Sequence, residues 1–159
     1  MKSVKGFTLI ELMITVALLA ITATIAVPGF NQLIQNNRIQ SQAEELNALL
    51  QYARSEAVIR KRSVAVNIDA ATGEVEVSGG GATLRDTTLQ IQSIDFAVSD
   101  ASITYRPNGT SAVPNFRTVF CRDNDPSTGY ELTVSGSGSS RLSNKGQTAS
   151  GTSLGGCTL

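Results

Sequence analysis

Apolar and polar positions along the chain fall into three regimes. From Leu12 to Asn37 there is no charge at all, and from Phe7 to Phe30 the run is almost wholly apolar, with one carboxylate, Glu11. A helix needs about 20 such residues to cross a hydrocarbon core, so the run is long enough for a membrane span. An acid at the edge of such a run is costly in lipid and marks a functional position. From Ile39 the period becomes helical. Ile39, Ala43, Leu46, Leu50, Ala53 and Ala57 recur at spacings of four and three, with Gln40, Glu44, Asn47, Gln51 and Arg54 on the opposite side. The pattern predicts one helix from Phe7 to Val58, its later half packed on the rest of the chain. Pro28, inside Val27-Pro28-Gly29, removes a hydrogen bond, and a kink or local melting is expected there. Arg60-Lys61-Arg62, with Arg54 before them, place cations where they complement the helix dipole.

Beyond Ser63 the period switches to two. Ser63–Ile68 and Glu74–Ser78 alternate around Asp69-Ala70-Ala71-Thr72-Gly73, which predicts a β-hairpin. Gly79-Gly80-Gly81 is expected as a turn or loop. Further strands are expected at Thr88–Ile91, Ile94–Val98 and Ile103–Arg106, followed by a Pro107-Asn108-Gly109 turn. Arg117–Cys121 and Tyr130–Ser135 form another alternating pair, with Arg122 to Gly129 as the connection. Asp123-Asn124-Asp125 within it lacks the spaced carboxylates of a calcium loop and is expected as an ordinary turn. From Gly136 onward the chain is Gly-, Ser- and Thr-rich, with Leu142, Leu154 and the Cys157-Thr158-Leu159 end as its anchors.

Composition narrows the chemistry. The 159 residues fit one domain plus an anchor, and 13 basic against 13 acidic side chains leave no whole-molecule field to steer nucleic acid. Histidine is absent, which removes the partner a serine nucleophile needs; Lys145 in a Gly/Ser stretch is a poor substitute. No Cys/His spacing suits a metal. No enzymatic activity, cofactor or metal is expected. The two cysteines, Cys121 and Cys157, would lie in an oxidising compartment after export, where pairing is the default. Such a bridge would stitch the polar tail across the sheet and stabilise the fold by roughly 3–4 kcal/mol on the chain-entropy model.

The start of the chain does not suit a secretory signal peptide. Its apolar stretch is too long, Glu11 interrupts the beginning, and no good A-x-A site precedes Pro28. Instead, Lys5-Gly6-Phe7-Thr8-Leu9-Ile10-Glu11 resembles the prepilin-peptidase recognition motif of type IV pilins and type II secretion pseudopilins. The resemblance implies cleavage after Gly6 and N-methylation of the new Phe7 amine. It also implies that Glu11, which has no other partner in lipid, meets the Phe7 amine of a neighbouring subunit and sets register in the filament. Phe7 and Glu11, four residues apart, would share one helical face. Asn36-Asn37-Arg38, Leu49 to Ala57 and Ile103-Thr104-Tyr105-Arg106-Pro107-Asn108-Gly109 are similar to minor pilins and pseudopilin H proteins, the FimU, FimT and GspH group.

That group implies an α+β, type IV pilin-like fold, with a long N-terminal helix packed on a head of two antiparallel sheets. The implied organisation is a leader (1–6), a transmembrane and filament-core segment (7–30) and a periplasmic head (31–159), helical over 31–60 and β-rich over 63–159. The implied function is that of a FimU-like minor pilin that helps to initiate a type IV pilus near its tip. Its partners would be prepilin peptidase, the inner membrane of a Gram-negative cell, other minor pilins and the major pilin. Two alternatives stand beside it: a DNA-binding minor pilin for natural transformation, and a minor pseudopilin of a type II secretion system. The DNA-binding branch carries a C-terminal Gly-Arg-x-Arg element. Here Ser139-Ser140-Arg141-Leu142-Ser143 offers only Arg141 as a contact, which counts against DNA.

Overall fold

The computed structural model describes residues 7–159, without the side chains of Ile25, Val27 and Pro28. Two compact units divide it after Asn37. The first helix, α1, is assigned without interruption over Leu9–Arg60. Local melting at Pro28 therefore does not occur, since one missing hydrogen bond is tolerated where the flanking turns keep theirs.

The first unit holds α1 up to Asn37. Its large apolar side chains among the described residues, from Phe7 to Ile34, are exposed, as expected of a segment whose solvent is something other than water. Three of its threonines are satisfied within the helix. Thr15 donates to the Leu12 carbonyl at 2.8 Å, Thr22 to those of Leu18 and Leu19 at 3.0 Å, and Thr24 to that of Ile21 at 2.7 Å. Back-bonding of this kind removes the cost of a hydroxyl in an apolar medium.

The second unit, Arg38–Leu159, begins with the rest of α1. All six positions of the predicted stripe, Ile39 to Ala57, are buried, and Leu49 joins them. Burying one such leucine contributes about 1.5–3 kcal/mol. α1 ends in a Schellman motif: Lys61 has φ 51°, its N–H bonds to Val58 O, and the Arg62 N–H reaches back to Ala57 O. Arg60 pairs with Glu56. Arg54 does not serve the helix dipole as expected. Its Nε donates to the Gly109 carbonyl at 3.0 Å and its Nη2 to that of Ser137 at 3.1 Å, so it ties two turns of the head to the helix.

Eight strands follow: β1 Val64–Ile68, β2 Glu74–Gly79, β3 Ala82–Thr88, β4 Asp95–Val98, β5 Ser102–Tyr105, β6 Phe116–Arg122, β7 Asp125–Val134 and β8 Ser140–Leu142. They form two four-stranded antiparallel sheets, in the orders β3-β2-β1-β5 and β4-β6-β7-β8. Alternation sends Val64, Val66, Val75, Val77, Ile103, Tyr105, Phe116, Phe120, Leu132 and Val134 into one core with the helix stripe. The core leaves the Tyr105 hydroxyl without a hydrogen-bond partner, and burial pushes its pKa up to about 12, against a small opposing pull from Arg54.

Several strand boundaries differ from the sequence pattern. Of the strand expected over Thr88–Ile91, only Thr88 is in a strand, as the last residue of β3. Leu89 turns into the core, and the Gln90 N–H is taken by the Gln42 side chain on the helix instead of by a neighbouring strand. The strand lies earlier, at β3, after a two-residue turn in which Gly80 and Gly81 have φ of 65° and 83°. Two adjacent left-handed residues are the hairpin geometry that suits strand twist. The long connection expected from Arg122 to Gly129 is likewise a two-residue turn, Asp123-Asn124, with φ of 52° and 53°. β7 starts immediately after it.

Candidate functional site

Position Gly6 lies outside the described residues; the site begins at Phe7, which is 83% exposed and precedes the helix. Thr8 is the N-cap of α1. Its Oγ1 accepts the Glu11 N–H at 3.3 Å, and Glu11 Oε2 accepts the Thr8 N–H at 3.1 Å and the Thr8 hydroxyl at 3.0 Å. This is a reciprocal capping box. Two expectations are corrected by it. Glu11 does have a partner in its own chain, and Phe7 does not share a helical face with Glu11, because the helix starts only at Leu9. Thr8-Leu9-Ile10-Glu11 is a readable T-x-x-E capping signal in the sequence.

The second constellation lies on the outer face of the sheet β4-β6-β7-β8. Cys121 and Cys157 are disulfide-bonded, with Cα atoms 5.9 Å apart. Around them Val119 and Leu154 complete a small apolar cluster separate from the main core. Beside it Glu131 is 3% exposed. Its Oε1 takes two bonds from Arg117, at 2.9 and 2.6 Å, and its Oε2 takes the Ala149 N–H at 2.6 Å. Ser143 closes the arrangement: its N–H bonds to Glu131 O and its Oγ accepts the Glu131 N–H, both at 2.8 Å. Glu131 thus binds the polar C-terminal stretch to β7. Sequence reading had no signal for it beyond a lone acid in an alternating strand.

Gly129 lies where the polar C-terminal stretch from Ser143 to Cys157 crosses β7 as a strap. A Cβ there would stand 2.6 Å from Leu154 Cδ2 and 2.8 Å from Cys121 Sγ, so no side chain fits beneath the strap. Arg141 is exposed on β8 and opposite Thr133, which in turn faces Arg117. Since Glu131 matches Arg117, the row presents one unmatched cation among the described residues. Asp125 stays a turn anchor. The Ser127 hydroxyl and N–H, each at 2.9 Å, hold its carboxyl below the usual range, leaving little for a cation to take. No group of His, Cys, Asp and Glu suited to a metal occurs among the described residues.

Residues 42–138 match the family model of the Type II transport protein GspH, and residues 1–27 match the prokaryotic N-terminal methylation motif. Two Pseudomonas aeruginosa relatives, each described as a fimbrial protein, are 33% identical over 97 residues, which is 60% of this chain and 62% of theirs. The match thus spans less than two thirds of those relatives. The crystal structure of the type IV minor pilin FimU of Pseudomonas aeruginosa superposes with a TM-score of 0.65 at 28% identity, covering 79% of this chain and 98% of that one. The minor pseudopilin EpsH of the Vibrio cholerae type 2 secretion system shares the fold, with a TM-score of 0.53 at 16% identity over 69% of this chain and 99% of its own. With more than half its length inside the GspH model and a methylation motif ahead of it, the chain belongs to this family of minor pilins and pseudopilins.

Proposed function

We propose that the chain is a structural minor pilin of a type IV pilus, rather than an enzyme, and that it helps to prime assembly near the tip. The observation that carries this reading is the likeness to FimU over nearly the whole of that crystallised chain. In this reading the leader through Gly6 is removed by prepilin peptidase and the Phe7 amine is methylated. The exposed apolar helix of the first unit holds the subunit in the inner membrane of a Gram-negative cell, with its head in the periplasm. The same helix then enters the filament beside other minor pilins and the major pilin. A helix bare on all sides has to be covered by lipid or by other helices. Glu11 would exchange its Thr8 bonds for the Phe7 amine of a neighbour.

A second reading, a minor pseudopilin of a type II secretion system, is supported by the family model. The higher identity to FimU than to EpsH favours the pilus. DNA binding is disfavoured, because Arg141 stands without a second unmatched cation in its row. The test is made in cells that carry both machineries. The mature chain, starting at Phe7, is expected in sheared pili. Gly6→Val is expected to leave an unprocessed band and no chain in the filament. Loss of secretion with normal piliation, on deleting the protein, would overturn the pilus reading.

A further inference from the structure

The C-terminal strap, Ser143 to Cys157, differs from the rest of the head in how it is held. The main core is built from α1 and the strands and includes no residue of the strap. The strap contributes only Leu154 and Cys157 to a separate cluster with Val119 and Cys121. It has no strand of its own, only an isolated bridge between Gln147 and Ser153. Apart from the disulfide, it is joined to β7 through Ser143, through Gly146 N–H to Gly129 O at 2.8 Å, and through Ala149 N–H to Glu131 Oε2. One leucine and a few hydrogen bonds do not balance the entropy of ordering a Gly/Ser/Thr segment of this length. A surface groove meanwhile reaches the latch: Phe96, Asn124, Cys157 and Thr158 line it, and Cys157, 4% exposed, is the less covered of the two cysteines, Cys121 being fully covered.

We infer that the strap is a separately opening unit, latched by the disulfide, and that a dithiol reductant opens it by attacking the Cys157 sulfur from this groove. In that step a thiolate of the reductant bonds to Cys157 Sγ and the bond to Cys121 breaks. Cys121 leaves as a thiolate and takes a proton. The second thiol of the reductant then displaces Cys157, which also leaves with a proton, and the reductant departs as a disulfide. Two electrons and two protons are transferred in all. Opening uncovers Val119, Cys121 and the Ala149-binding oxygen of Glu131 while the helix-and-sheet core stays folded. The outer face of the sheet β4-β6-β7-β8 is therefore complete only in the oxidised subunit, and the head carries on its surface a check that oxidation has occurred.

Hydrogen exchange on the full-length chain in detergent micelles, with and without dithiothreitol, tests this. Amides of 143–157 are expected to exchange at least about tenfold faster on reduction, with those of β1 and β6 changed by less than about twofold. Cys157→Ser should reproduce the reduced pattern without reductant. Acceleration of strap and core together would show that the disulfide holds the whole head, and an unchanged strap would show that it holds itself; either overturns the proposal. Brief exposure to glutathione is expected to trap the mixed disulfide on Cys157, and trapping on Cys121 instead would remove the groove from the account.

Discussion

Replacing Glu11 with alanine is expected to leave the protein in the membrane but to lower its incorporation into filaments by about a hundredfold or more. The apolar segment loses nothing it needs in lipid, since removing a charge from it only favours insertion. A neighbour's Phe7 amine, by contrast, would be left buried and unpaired, and breaking one side of a buried ion pair costs roughly 3–5 kcal/mol. The capping box supplies a competing explanation, because Glu11 also holds the Thr8 N–H at the start of α1. Glu11→Gln separates the two. Glutamine serves a capping box as glutamate does but carries no charge. If the charge is what matters, both variants fail to the same degree in quantitative immunoblots of sheared filaments. Normal incorporation of the glutamine variant would assign the residue to the cap alone.

Phe120→Ala is expected to lower the stability of the head by about 3–5 kcal/mol. Phe120 sits on β6, one strand in from the edge of its sheet, and is fully buried. Its ring stacks on Phe96 of β4 with centroids 4.6 Å apart. Truncation leaves a cavity in the core and removes the ring stacking between β6 and the edge strand β4. Thermal unfolding of the full chain in detergent should show the head transition falling by about 10–20 °C. Arg85→Ala on edge strand β3, where the guanidinium only lies over the Tyr52 ring at 5.8 Å, serves as the contrast and should change stability by less than about 1 kcal/mol.

The parts of the fold legible in the sequence are those where one apolar face decides the outcome. Ile39 to Ala57 and the alternating valines of β1 and β2 are the same residues that form the core. β3 and β8 were not legible, because each carries a single large apolar side chain, Leu84 and Leu142, and owes its place to backbone pairing with a neighbour. The tight turn at Asp123-Asn124 was missed for a different reason. Its residues read as a polar loop, and only the paired positive φ values reveal a hairpin. In the candidate site, Glu11 and the two cysteines stood out by type and surroundings. Thr8 is readable beside Glu11 as a T-x-x-E capping signal, whereas Glu131 and Arg54 did not stand out, because each acts through a partner distant in sequence or through a backbone group whose position no pattern of side chains records.

The back-bonded threonines of the first unit bear on how a subunit changes its surroundings. Thr15, Thr22 and Thr24 donate to carbonyls of their own helix, so moving the segment from acyl chains to a bundle of neighbouring helices breaks none of these bonds. For these three hydroxyls the environments on either side of that transfer are nearly equivalent, which they are not for the Glu11 carboxylate. In the proposed pilin role, discrimination between remaining in the bilayer and joining a growing fibre would then fall mainly on Glu11.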